Sequence, residues 1–143
     1  MDLDVILRQL ALVFGVLLCA YAVVSFTLGT PSFLATVTSD SMKPTLERGD
    51  WVVLQKQPAY TVDDSIVFSL NPGNVYVHRV VAVVGSGLAG VGVDGQAVPT
   101  GYRTKGDANP YADGWTVPPD AVLGNVVVRI PRLGYLALWL DGR

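Results

Sequence analysis

From Leu10 to Leu28 the chain reads LALVFGVLLCAYAVVSFTL without a charge, and no other stretch restricts its folding as strongly. Nineteen helical residues extend about 28 Å at about 1.5 Å each, close to the roughly 30 Å of a bilayer's hydrocarbon core. Gly29-Thr30-Pro31 closes the run, because Gly favours the backbone conformation that ends a helix and Pro cannot continue one. Arg8 precedes it, with Asp2 and Asp4 further out. A cleavable leader is one reading, with Arg8 as its basic end and Ala20-Tyr21-Ala22 as a small-residue cleavage site. The apolar run continues through Val23, Val24 and Phe26, however, and is long for a leader. The expectation is therefore a retained transmembrane anchor, with residues 1–31 forming a cytoplasmic tip and a membrane span. Arg8 on the near side puts everything after Pro31 on the far side of the membrane.

After Ser32 the continuous apolar pattern gives way to short segments punctuated by Gly, Pro, Asn and Asp. Strands are expected at Phe33–Thr38, Trp51–Gln55, Ser65–Leu70, Val75–Val84, Gly90–Val93, Gln96–Val98, Gly101–Thr104 and Val122–Ile130. Asn71-Pro72-Gly73-Asn74 and Asp94-Gly95 are hairpin turn signals. No segment beyond Pro31 carries a sustained helical period. The expected fold is mainly β: a small antiparallel β-sandwich or partly closed barrel over residues 32–143, behind one transmembrane helix. The apolar segment 133–140 is too short to span a bilayer. It reads as a buried last strand or, with Tyr135 and Trp139, as an interfacial segment resting on the membrane.

Several function classes are excluded early. One cysteine, Cys19, inside the apolar run, permits neither an internal disulfide nor a cysteine metal site. One histidine, His78, rules out a histidine cluster, and no carboxylate spacing asks for a metal or any other cofactor. A net charge of -2 with scattered cations leaves no basic footprint for nucleic acid.

Three stretches carry possible chemistry. In Ser39-Asp40-Ser41-Met42-Lys43-Pro44-Thr45, two hydroxyls stand two residues apart before a Pro of fixed φ. An extended backbone would turn both toward one pocket; the plainer reading is an ordinary turn. On the long strand, alternation puts His78 with Tyr76, Val80 and Ala82 and sends Arg79 to the opposite face. A histidine on an apolar face is by default a satisfied core residue. The loop from Gly106 to Trp115 holds Asp107 and Asp113. Their carboxylates either satisfy turn N–H groups or orient His78.

Taken together, Ser39 through Thr45, Val77-His78-Arg79-Val80 and Thr104-Lys105-Gly106-Asp107-Ala108-Asn109 resemble the conserved boxes of the type I signal peptidases, in the family's order and behind an N-terminal anchor. Bacterial members typically carry a Lys base where His78 stands here. This chain resembles instead the endoplasmic-reticulum and archaeal branch and some Gram-positive sporulation-associated members. The resemblance implies a membrane-bound serine endopeptidase that removes N-terminal signal peptides from exported proteins. Its partners would be signal-peptide-bearing preproteins, the lipid bilayer, and other subunits of a signal peptidase complex or translocon.

By the same resemblance Ser41 is the nucleophile, which needs a base within reach, and His78 is that base. Asp113 is the acid that orients the ring, and Asp107 a supporting acid that holds the loop or a hydroxyl; the two could be exchanged. Ser39 joins the Ser41 N–H as an oxyanion donor, worth roughly 3–4 kcal/mol when lost. Met42 packs beside the nucleophile and shapes the substrate pocket. Two departures stand out. Many relatives of this branch continue into a second transmembrane helix after the last strand, whereas here Arg143 closely follows Leu140; and Pro110-Tyr111 alters the final loop. The rival readings are a Ser–Lys peptidase using Lys43 or Lys105, and a non-catalytic β-domain serving as a subunit of a processing complex.

Overall fold

The apolar run folds as helix α1, Leu3–Leu28, starting seven residues before the uncharged stretch and carrying Asp4 and Arg8 in its first turns. The computed structural model describes residues 3–30, 33–85 and 99–140. No residue of α1 is buried, and the helix is long and apolar enough to cross a membrane. It stops as Gly29 predicts: this residue adopts φ +66, while Gly29 N–H bonds Phe26 C=O and Thr30 N–H bonds Ser25 C=O. Those two bonds close the last turn and satisfy two terminal carbonyls. The helix end is tied to the β structure by Lys56 N–H on Leu28 C=O at 2.9 Å, and by the Tyr21 ring, 5.4 Å from that of Phe33.

Among the described residues six strands follow: β1 Leu34–Thr36, β2 Trp51–Gln55, β3 Ser65–Asn71, β4 Asn74–Val84, β5 Gly101–Lys105 and β6 Val122–Ile130. They form one antiparallel sheet in the order β1-β2-β6-β3-β4-β5. The chain is thus mainly β, as expected, and among the described residues the sheet is open, with β1 and β5 at its edges, and does not close into a barrel. The expected strands Gly90–Val93 and Gln96–Val98, with the Asp94-Gly95 turn, lie outside the described residues.

Strand β3 shows why the sheet needs cover on both sides. Ile66, Val67 and Phe68 are all buried, although alternation sends Val67 to the opposite face from its neighbours. Ile66 and Phe68 join Tyr60, Val80, Tyr102, Val117 and Val122 in one core. Val67 joins Val37, Met42, Leu46, Val52 and Leu54 in the other. Each such buried side chain contributes about 1.5–3 kcal/mol. The first core is covered by the segments around Tyr60 and Val117, and the second by the loop between β1 and β2. That loop carries Ser41, so the second core is also the bed of the site.

The C-terminal apolar segment is not a strand. After a turn it forms a short helix, α2, Tyr135–Leu140, that buries Leu138 and exposes Tyr135, Trp139 and Leu140. Its entry is fixed by a close approach: Gly134 N–H bonds Gly49 C=O at 2.8 Å, and a Cβ at Gly134 would stand 2.6 Å from the Thr36 methyl. A segment of under two turns shows no periodicity to read, which explains why only its apolar character was visible in the sequence.

Candidate active site

The β1–β2 loop is closed at its base by two backbone bonds, Val37 N–H to Asp50 C=O and Gly49 N–H to Val37 C=O. Val37, Met42 and Leu46 drop into the core beneath it. Between these anchors the chain bends at Ser39–Asp40 and turns through Ser41–Thr45, with Lys43 N–H on Asp40 C=O and Leu46 N–H on Met42 C=O. Ser39 Oγ and Ser41 Oγ lie 3.1 Å apart. The expected juxtaposition is present, but a bend makes it rather than an extended strand, because β1 already ends at Thr36. Met42 is fully buried and lies under the turn rather than on the cleft wall. Its apolar thioether gains more from the core than from a half-wet pocket, so it can shape a substrate site only from beneath.

Asp50, at the far end of this loop, is 1% exposed. Its carboxylate accepts the N–H groups of Glu47 and Arg132 and pairs with Arg129 at 2.5 Å. Burial alone would raise this acid; the two backbone donors and Arg129 outweigh it and hold the carboxyl below its ordinary value. One carboxylate thus staples the loop to β6 and to the turn before α2.

His78 pairs with Ile66 across β3 and β4, with its ring set edge-on to Phe68 at 6.3 Å. It is 6% exposed. Nε2 lies 3.2 Å from Ser41 Oγ, and Nδ1 lies 2.6 Å from Asp113 Oδ2. A carboxylate can only accept from Nδ1, which assigns the ring proton to Nδ1 and turns the Nε2 lone pair toward Ser41.

Asp113 is held at three points. Its N–H bonds Thr104 C=O at 2.8 Å, its C=O accepts Arg103 Nη2 at 3.3 Å, and its Oδ2 accepts the Thr104 hydroxyl at 2.6 Å. Asp107, six residues earlier on the loop, turns elsewhere. Arg79 Nε and Nη2 reach its two oxygens at 2.8 and 2.7 Å, and the Thr45 hydroxyl donates to Oδ2 at 2.5 Å. The Arg79 hydrogen bonds, against opposing burial and with help from Thr45, hold the Asp107 carboxyl below its ordinary value; the same contact raises the Arg79 guanidinium. The loop's start also grips the Ser41 turn directly, with Ala108 N–H on Ser41 C=O at 2.8 Å. Gly106 is needed for that approach, since a Cβ there would stand 2.7 Å from the Ser41 carbonyl oxygen.

Ser41 and His78 stand at the edge of a cleft of about 460 Å³. Ala35, Thr36 and Thr38 line one side, Asn74, Tyr76 and Val77 the other, and Val52 and Val67 contribute from the second core. Lys43 Nζ lies 3.2 Å from Asp40 Oδ2 and is half exposed. Among the described residues no group of three or more His, Cys, Asp or Glu could hold a metal ion.

The structure therefore brings Ser39, Ser41, His78 and Asp113 together and sets Asp107 apart on Arg79. Thr104 and Thr45 escape a sequence reading because a hydroxyl becomes a donor to one particular carboxylate only through the pairing of distant strands. Arg79 carried a visible signal, standing beside His78 as a cation aimed at the opposite face.

The profile of the family described as "Signal peptidase, peptidase S26" matches residues 6–129. The signal peptidase complex catalytic subunit sec11 of Pyrenophora tritici-repentis is 33% identical over 122 residues, 78% of this chain and 65% of that protein. The subunit of the same name from Pyrenophora teres f. teres gives the same values. That of Colletotrichum graminicola is 28% identical over 146 positions, covering 94% of this chain and 79% of that protein. The chain thus spans slightly less than two thirds of the length of the Pyrenophora relatives it matches. With the family profile running from within α1 to the penultimate residue of β6, this chain belongs to the signal peptidase family, peptidase S26.

Proposed function

We propose that the protein is a membrane-anchored serine endopeptidase that removes signal peptides from exported preproteins. The observation that carries this reading is the continuous contact from Asp113 through His78 to Ser41 at the edge of an open cleft. Ser41 Oγ attacks the scissile carbonyl carbon while His78 Nε2 takes its proton. The ring then carries a charge, which the buried Asp113 carboxylate stabilises. The oxyanion forms against the Ser41 N–H and the Ser39 hydroxyl. As the C–N bond breaks, His78 returns the proton to the leaving amine. Water, activated by the same ring, hydrolyses the ester on Ser41. Arg79 and Asp107 take no proton in this scheme; they hold the Ser41 turn against the β5 end of the sheet. The Lys43–Asp40 pairing disfavours a lysine base on this loop.

The substrate binds extended along β1, which among the described residues is an edge strand paired with β2. The apolar lining from Ala35, Val52, Val67 and Val77 suits small side chains one and three residues before the cut. Residues 1–31 form the cytoplasmic tip and anchor, and residues 32–143 the peptidase domain on the extracytoplasmic or lumenal side. Confining enzyme and the substrate's own apolar segment to one bilayer raises their effective concentration. The relatives are named as catalytic subunits of a signal peptidase complex, which supports further subunits as partners here.

The test is cleavage of a membrane-inserted preprotein by purified wild-type, Ser41→Ala and His78→Ala proteins in liposomes. Cleavage after a small residue by wild type, lost in both variants, is expected. Cutting retained by His78→Ala but not Ser41→Ala would instead assign the base to a lysine.

A further inference from the structure

We infer that Thr104 is a positioning residue for Asp113, holding the carboxylate in register with the His78 ring; this rests on the reading of His78 as the base. Asp113 Oδ2 is shared: His78 Nδ1 and Thr104 Oγ1 both approach it at 2.6 Å. All three residues are buried, Thr104 completely and the other two to within 8%. A carboxylate removed from water needs donors to remain charged, and a charged Asp113 is what an imidazolium requires opposite it. His78 supplies one donor and the Thr104 hydroxyl a second, and the Thr104 donor does not move when the ring gains or loses a proton.

The backbone reinforces the assignment. Thr104 C=O accepts Asp113 N–H, and the neighbouring Arg103 reaches Asp113 C=O, so two successive β5 residues grip Asp113 by main chain and side chain. Thr104 itself pairs with Val80 on β4, two residues from His78. The hydroxyl therefore sets the position of the acid relative to the strand that carries the base. Without it, Oδ2 is free to rotate off Nδ1 while Asp113 stays on its loop.

The experiment uses the full chain with Thr104→Val, which preserves shape and deletes the hydroxyl, and Thr104→Ser, which restores it. In the preprotein assay Thr104→Val is expected to lower kcat about tenfold or more, with KM unchanged within about twofold. Thr104→Ser should recover most of that loss. Because His78 is the single histidine, the low-field imidazole N–H resonance belongs to it unambiguously. That resonance should shift or broaden in Thr104→Val and return in Thr104→Ser. If Val lowers the melting temperature below that of the assay, Thr104→Ala beside Thr104→Ser makes the same comparison. Equal losses in the Ser and Val variants would mean packing alone and overturn the proposal. So would an unmoved resonance with wild-type kcat, or a shifted resonance with wild-type kcat. Wild-type cutting by His78→Ala would remove the reading beneath it, while the resonance still reports whether Thr104 sets the Asp113–His78 contact.

Discussion

Asp107 and Asp113 belong to one loop and one residue type, yet the fold gives them opposite partners. Asp107 lies in a bidentate clasp with Arg79, a permanent cation, and accepts a hydrogen bond from the Thr45 hydroxyl of the Ser41 turn. Asp113 faces a ring that can be neutral or charged. The first contact is equally strong before and during a reaction, so it contributes to stability and to holding Ser41 in place. The second becomes an ion pair only when the ring takes a proton, and an interaction that strengthens in the transition state is what raises kcat. Partner, not residue type, separates the structural acid from the one suited to catalysis.

The widest separation expected between the two halves of the loop comes from removing what each serves. Loss of Ser41 or His78 is expected to lower kcat by about four orders of magnitude or more, with no additive loss in the double variant. Asp113→Asn keeps the shape but reverses the tautomer preference, and should lower kcat by about 10³- to 10⁴-fold with little change in Tm. Single-turnover rates with matched melting curves check both.

Gly106→Ala tests the other half. The added methyl must displace the Ser41 carbonyl or Asn109, and a shift of Ser41 by a fraction of an ångström should cost about 10- to 100-fold in kcat. The Asp113–His78 contact would be untouched, so the histidine resonance should stay in place while turnover falls. Asp107→Asn should chiefly affect stability. It leaves a partly buried guanidinium with a neutral partner and should destabilise by about 1–3 kcal/mol, with less than about a tenfold loss in kcat. A Tm as high as wild type would break the contrast drawn here.

The smallest effect is a pH slope. Asp107 and Asp50 both titrate below the ordinary carboxyl value of 3.8 in the folded chain. The unfolded chain therefore binds more protons between the folded and unfolded values, and stability rises with pH through that window. Their contribution is complete above about pH 5 and is lost as the pH falls through the depressed folded values. Thermal melts of wild type should decline below about pH 4, more gently in Asp107→Asn. Parallel declines in the two proteins would show that the clasp does not set the slope.

Much of this was legible beforehand, and the reason differs by element. Trp51–Gln55 and Val122–Ile130 appear as strands with the bounds read from their β-branched and apolar runs, and Asn71 to Asn74 makes the expected tight turn. Gly29 ends α1 as its residue type suggests. Those features are local. The insertion of β6 between β2 and β3 is not local, because any of several strands could satisfy the same alternation. Phase along β4 is also lost at a bulge between Val80 and Ala82, so the alternating faces read from sequence do not run the strand's whole length. At the site, residue type and setting left Ser41 in an ordinary turn and His78 in a core as the plainer readings, and only the resemblance of their boxes to those of the signal peptidases singled them out. Two acids in a polar loop could not be sorted, since what separates them is Arg79 on one side and Thr104 with His78 on the other, all brought from distant strands.

The measurement that tests this account most directly is the preprotein cleavage rate of Asp113→Asn beside Asp107→Asn, each corrected for folded fraction. The account predicts that Asp113→Asn loses about 10³-fold or more while Asp107→Asn stays within about tenfold of wild type. The reverse order, or equal losses, would contradict it and make the Arg79 clasp, rather than the Asp113–His78–Ser41 chain, the part of the site on which cleavage depends.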